Sequence, residues 1–219
     1  VEYVSDEQRV EELKQWWKEN WTSILTGVVL GVGGLLGWRG WVYYHENQAK
    51  SASEVFEAIV AAANKQDVKT IEDKAKLLED SYSSTPYAAL GALQLAKFKA
   101  KKGDLDTAAV QLLWVIDNAS QNTVRNLAEL RLARVYVAQR KLDEALKLLP
   151  DLPVSYYSLV EEIRGDVLVA KGQIAAAREA YDRALLSGGN DSDYLRMKRD
   201  DLGNSPKEAP KEAPKEAPK

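Results

Sequence analysis

No cysteine occurs in the 219 residues, and His45 is the only histidine. The first absence excludes disulfides, thiolate metal sites and cysteine nucleophiles; the second removes the usual zinc ligand and the base of a serine-type triad. An excess of one charge is also lacking, because 30 Lys and Arg stand against 33 Asp and Glu, for a net charge of -3. The cations are interleaved with acids along helical patterns and form no basic stripe, so no nucleic-acid partner is expected. Carboxylate pairs such as Glu161 and Glu162 stand on patterns consistent with solvated faces, with no nucleophile or metal ligand beside them. The reading is of a non-enzymatic protein with no cofactor.

One long run does lack charge. Residues 20–38, NWTSILTGVVLGVGGLLGW, approach the ~20 residues of a bilayer-spanning helix. Trp21 and Trp38 stand near its ends, about 26 Å apart at 1.5 Å per residue. Trp41, Tyr43 and Tyr44 extend the span past Arg39, whose long side chain can snorkel to headgroups. Five of the six tryptophans (Trp16, Trp17, Trp21, Trp38 and Trp41) lie in or beside the run, the distribution of aromatic belts at two interfaces. A cleaved signal peptide would show a basic n-region and a small-residue cleavage site; the acidic flank favours an uncleaved anchor at 20–44.

In the preceding segment, 1–19, Val10, Leu13, Trp16 and Trp17 oppose Glu11, Glu12, Lys14 and Lys18 at helical spacing. Its acids outnumber its bases, which argues against attraction to anionic lipid and for continuation of the membrane helix or contact with a protein. Arg9, Lys14 and Lys18 before the span, against Arg39 and Lys50 after it, favour an N-terminus on the inner side. Within the span Gly27, Gly31 and Gly34 share one face, and Gly33 with Gly37 repeats the small-xxx-small spacing beside it. Such faces fit another membrane helix or a second copy of this one. Glycine is also common in any membrane helix, so self-association stays open.

From 45 to 203 helical patterns alternate with short breaks and no period-2 strand run is convincing, so the fold class is all-α. An Ala-rich helix over 46–64 continues from the membrane segment, and a second covers 68–78. Thr85 and Pro86 mark the next start, as N-cap and first helical residue. An internal repeat begins there. Segments from Leu93, Leu130 and Gly165 align with one another, and Ala108, Ala145 and Ala177 bracket the ~34-residue period of tetratricopeptide helical hairpins. Small residues are needed where helices cross closely and bulky ones in the gaps, the pattern these segments share. The bland alternative is a bundle with alanine seams. Three hairpins suffice for a solenoid, with the earlier helices capping one end. Residues 191–202 read as a polar cap on the other, with Asp191 or Ser192 as N-cap. In 204–219, PKEA recurs with Pro206, Pro210, Pro214 and Pro218 four apart, which excludes a helix and predicts an extended, disordered spacer.

In such a solenoid the first helix of each hairpin lines the concave face. Counting back from Ala96, Ala133 and Gly165 places Leu90, Leu127 and Leu159 there, then Leu93, Leu130 and Glu162. Lys97, Arg134 and Asp166 follow one turn on. This predicts an apolar groove with a charged rim, suited to an unfolded or helical client segment. The competing reading packs these leucines inside the chain.

The stretch GVVLGVGGLLGWRGW at 27–41, the LRLARV run at 130–135 and the helical domain between and after them resemble the YfgM-type ancillary subunits of the bacterial SecYEG translocon, over roughly 11–202. That resemblance implies an inner-membrane, single-pass protein with a cytoplasmic N-terminus and a periplasmic tetratricopeptide-like domain. It implies association with the SecYEG translocon and with a PpiD-like membrane-anchored chaperone, and assistance to newly exported polypeptides. It supplies no catalytic residues, and the proline-rich tail departs from the family pattern. A membrane-bound repeat scaffold that organises an envelope assembly without touching clients is the other functional class the residues allow.

Overall fold

The computed structural model describes residues 6–149, 152–188 and 192–203. The tail at 204–219 and the cap position at Asp191 lie outside the described residues. The chain forms two compact units, Val1–Ser51 and Ala52–Lys219. All regular elements among the described residues are helical.

The first unit is the greater part of α1, which runs Asp6–Lys65. None of residues 9–51 is buried, although Leu25, Val28, Val29, Leu30, Leu35 and Leu36 are each about half exposed or more. Its most apolar window has a mean hydropathy of 1.5, long and apolar enough to cross a membrane. Polar side chains at the start of the apolar run bond back to the carbonyl one turn earlier on their own helix. Asn20 Nδ2 donates to the Trp16 carbonyl at 2.9 Å and Thr26 Oγ1 to the Thr22 carbonyl at 2.7 Å. Trp38, Trp41 and His45 meet in succession as tilted ring pairs, with centroids 5.4 and 4.3 Å apart. The amphipathic segment from residue 9 runs on into the apolar run without a break.

The second unit consists of the end of α1 from Ala52, then α2 (Val68–Ser81), α3 (Pro86–Lys102), α4 (Leu105–Asn118), α5 (Asn122–Ala138), α6 (Leu142–Lys147), a 3₁₀ turn (Val154–Tyr156), α7 (Tyr157–Ala170), α8 (Ile174–Leu186) and α9 (Ser192–Asp200). One turn builds it four times. The amide of a left-handed residue bonds three residues back and the next amide bonds five back, the double closure of a Schellman motif. Its amide pairs are Gln66 with Asp67, Gly103 with Asp104, Arg140 with Lys141, and Gly172 with Gln173. The left-handed φ values are 57° at Gln66, 86° at Gly103, 63° at Arg140 and 74° at Gly172. Two of these turns pass directly into capped helices: Asp67 accepts from the Thr70 amide and Asp104 from the Thr107 amide, both at 3.2 Å.

The domain therefore holds four hairpins, one more than the repeat pattern alone reveals. Seven residues before each turn stand Ile59, Ala96, Ala133 and Gly165, and five after it Ile71, Ala108, Ala145 and Ala177. All eight are buried. The first hairpin has isoleucine where the others have alanine or glycine, so it lacks the small-residue signature while occupying the same positions.

Each core is shared between neighbours, which makes the unit a linear array. Ile59, Ile71 and Leu78 pack with Ala88 and Leu95 of α3. Ala92 and Ala96 pack with Leu112, Val115 and α5's Leu132. Leu130 and Ala133 pack with Leu149, Val160 and Ile163. Tyr181 and Ala184 pack with Leu195 of α9. The residue before three of the turns reaches back to the preceding hairpin: Lys102 to Gln66, Gln139 to Asp106 and Lys171 to Asp143, at 3.3, 2.8 and 2.9 Å.

Two local expectations change. Thr85 holds the N-cap position before Pro86, but its hydroxyl donates to the Tyr82 carbonyl at 2.8 Å and caps no amide. The second helix of the third hairpin, α6, is only 6 residues long. Leu149 precedes Pro150, and the residue before a proline is driven out of the helical region.

Candidate functional site

The residues singled out for the face of α3, α5 and α7 divide into three groups. Leu93 (4 % exposed) and Leu130 (1 %) are core residues, and Leu90, Leu127 and Leu159 are half-buried against the same clusters. The structure thus places Leu93 and Leu130 inside the chain and leaves Leu90, Leu127 and Leu159 partly exposed, because consecutive first helices pack on one another as well as on their own partners.

Glu162 and Asp166 form the second group and are closed over by α9. Lys198 Nζ lies 2.9 Å from Glu162 Oε1 and 2.8 and 2.9 Å from the two Asp166 oxygens. Arg134 Nη2 donates to Glu162 Oε2 at 3.3 Å, and the Tyr181 hydroxyl donates to Asp166 at 2.7 Å. Burial disfavours the charge on Lys198, but its bonds to Asp166 and Glu162 outweigh that and raise its pKa. Burial, then the Asp166 bond, raises that of Tyr181. Arg134, Glu162 and Asp166 are thereby brought into one network that fastens α9 to α7.

Glu161 is no solvated residue either. It is 4 % exposed and takes Arg183 at 2.7 Å and Arg164 at 3.1 Å. The helical pattern of α7 alone puts it outward; the missing information is that α8 brings Arg183 against it.

The third group is a pocket that sequence reasoning only touched. Lys97 and Arg134 line it together with Ala96, Ala100, Leu105, Leu112, Arg131, Val135 and Ala138, around about 440 Å³. It lies between the second hairpin, α3 and α4, and the first helix of the next. Its floor is aliphatic and small, its rim carries three cations, and no carboxylate lines it. Lys97 is exposed and Arg131 half-buried, and neither has an ion pair among the described residues. Burial, and then the Arg134 charge, lower the Arg131 pKa. The alanines at 96, 100 and 138 could have pointed to this gap, since small residues on facing helices leave a space between them.

In the candidate membrane helix, a Cβ built on Gly27, Gly31, Gly33, Gly34 or Gly37 meets nothing within 4 Å among the described residues.

Stacked hairpins with a recurrent turn, preceded by one candidate membrane helix, define a tetratricopeptide-like repeat protein. Residues 14–204 match the model of the tetratricopeptide repeat-like domain family. Relatives resolve the class further. The chain is 32% identical over 203 residues to the ancillary SecYEG translocon subunit of Escherichia coli (strain K12), covering 91% of this chain and 98% of the relative. It is 29% identical over 201 residues to that of Haemophilus influenzae, with the same two coverages. It is 30% identical over 210 residues to that of Neisseria gonorrhoeae, again over 91% and 98%. The chain belongs to the family of ancillary SecYEG translocon subunits. No solved structure matches it.

Proposed function

We propose that the chain serves the Sec translocon as a non-enzymatic ancillary subunit. On this reading its helical hairpins, on the periplasmic side of the inner membrane, bind a PpiD-like membrane-anchored chaperone and newly exported polypeptides. The observation that carries the reading is the near full-length alignment to relatives bearing the translocon-subunit name. The candidate membrane helix supports it physically: a tether raises the local concentration of the hairpins, so individually weak contacts suffice. Arg9, Lys14 and Lys18 before the span favour an N-terminus in the cytoplasm. The open glycine faces at Gly27, Gly31 and Gly34 and at Gly33 and Gly37 suit close approach of a translocon helix or a second copy.

The test is in-cell photocrosslinking from Ala138, on the pocket edge, combined with protease treatment of intact spheroplasts. Adducts to a membrane-anchored chaperone or a secretory chain are expected, together with cleavage of the hairpins by added protease. Protease-protected hairpins would overturn the topology. Adducts to lipid or to this chain alone would overturn the binding function.

A further inference from the structure

We infer that the pocket bounded by Lys97, Arg131 and Arg134 docks an acidic polypeptide segment that also offers apolar side chains. The inference rests on the reading that the hairpins bind polypeptide and names the chemistry that one gap between them selects. Three cations converge on one aliphatic cavity of about 440 Å³ with no carboxylate in its lining. Among the described residues Arg134 alone of the three has an ion pair, with Glu162 at 3.3 Å, and that acid is shared with Lys198. Lys97 and Arg131 face the cavity without a counter-charge among the described residues.

Like charges around a partly desolvated space repel, and a carboxylate entering it relieves that repulsion and pairs with a guanidinium in a fixed geometry. Other cations of the unit do meet acids from a facing element, as Lys198 meets Glu162 and Asp166 and Arg183 meets Glu161. What distinguishes this pocket is that three cations share one apolar lining. Its apolar floor, with Ala100 and Val135, accepts aliphatic side chains. The volume falls within the ~300–1,000 Å³ of ordinary ligand pockets, the scale of a few peptide side chains.

A polyanion fits less well. Nucleic-acid grooves line up many phosphate contacts, and anionic membrane surfaces attract clusters of about 4–8 basic residues. Three cations around an aliphatic floor ask for one or two carboxylates and a hydrophobic anchor.

The experiment uses the full chain in phosphatidylcholine nanodiscs and two fluorescent synthetic peptides. They share the same leucines at helical spacing and differ only in carrying Glu or Lys on the polar face. Fluorescence anisotropy should show the Glu peptide binding and the Lys peptide not. Lys97→Glu with Arg131→Glu should weaken the Glu peptide about tenfold or more and admit the Lys peptide. Lys69→Glu with Lys76→Glu on α2, an equal change of net charge, should leave both unaffected. Circular dichroism shows that each variant keeps its helix content.

Equal binding of the two peptides, no effect of the pocket reversal, or an equal effect of the α2 reversal would each overturn the inference. So would displacement of the Glu peptide by phosphatidylglycerol vesicles, which would assign the cations to lipid headgroups. If the peptide arms fail while Ala138 still crosslinks to export partners in the Lys97→Glu, Arg131→Glu variant, only this inference fails. If wild-type Ala138 yields no such partners, the proposed function fails as well.

Discussion

Replacing Gly165 by alanine adds one methyl group to α7, at the point where the ring of Tyr181 crosses it. The new Cβ would fall against Tyr181 Cε1 and stand 2.5 Å from Cδ1, well inside any tolerated contact. The ring has little freedom to retreat. Tyr181 is 3 % exposed, its hydroxyl is held at 2.7 Å by Asp166, and Asp166 is held in turn by Lys198. Alanine gains about 1 kcal/mol of helix propensity over glycine. Overpacking a locked core costs about 1–3 kcal/mol, and the ring geometry puts this site at the upper end. The expected net loss is about 1–2 kcal/mol.

Gly91→Ala is the matched comparison. Its Cβ would meet Leu78 Cδ1 at 2.7 Å and Ile59 Cδ1 at 3.3 Å, buried but terminal methyl groups with no hydrogen bond to hold them, so a smaller loss of about 1 kcal/mol is expected. Hydrogen exchange of the full chain in mild detergent reads both. Because the array couples mainly nearest neighbours, Gly165→Ala should speed exchange about tenfold in α7, α8 and α9 and leave α3 and α4 unchanged. Tyr181→Leu in the Gly165→Ala background should recover most of the clash. An effect of Gly165→Ala no larger than that of Gly91→Ala, or one unchanged by Tyr181→Leu, would refute the reasoning.

Arg140 has φ 63° at the position that Gly103 and Gly172 hold in their own turns, so Arg140→Gly should stabilise by about 1 kcal/mol, read as a higher thermal midpoint. Glu79 on α2 has a carboxylate oxygen buried without a partner; burial and then Asp80 raise its pKa, with Lys76 opposing. A carboxyl whose folded pKa is raised destabilises the fold above that pKa and ceases to do so once protonated. Glu79→Gln should therefore stabilise by about 1 kcal/mol near pH 7, with the gain vanishing as pH falls through the carboxylate range, in parallel denaturation series. Lys198→Ala leaves Glu162 and Asp166 without their shared cation and should cost about 1–2 kcal/mol after allowance for solvent screening, seen as faster exchange confined to α9 and its neighbours.

Features that depend on near neighbours in the chain were legible in the sequence. Four-residue and 34-residue spacings report which residues share a helix face and which hairpin follows which, and they sufficed for the all-α class, the repeat and the apolar span. The first hairpin escaped because its turn uses Gln66 and its crossings use Ile59 and Ile71. The geometry is the same, but none of the residue types that announce it is present. A backbone hydrogen-bond pattern tolerates any side chain that accepts a left-handed φ for about 1–2 kcal/mol, so this turn can be present where glycine is not.

The site was less legible, for a different reason. Lys97 and Arg134 line one pocket, yet the meaning of each depends on what a neighbouring hairpin brings to it. Arg183 turns Glu161 from a surface residue into a buried ion pair, and Lys198 turns Glu162 and Asp166 from a rim into a fastening for α9. Arg131 lines the same pocket as Lys97 without an ion pair among the described residues. Charges on a helical array acquire a role through the element stacked beside them. A periodic pattern fixes the direction in which a side chain points but leaves open whether a counter-charge will be there to meet it. In this domain Glu161, Glu162 and Asp166 are met by arginine and lysine from the next helix, while the cations between the second and third hairpins are met incompletely among the described residues. That imbalance is a property of the stacked array, and it is what makes those cations available to a partner.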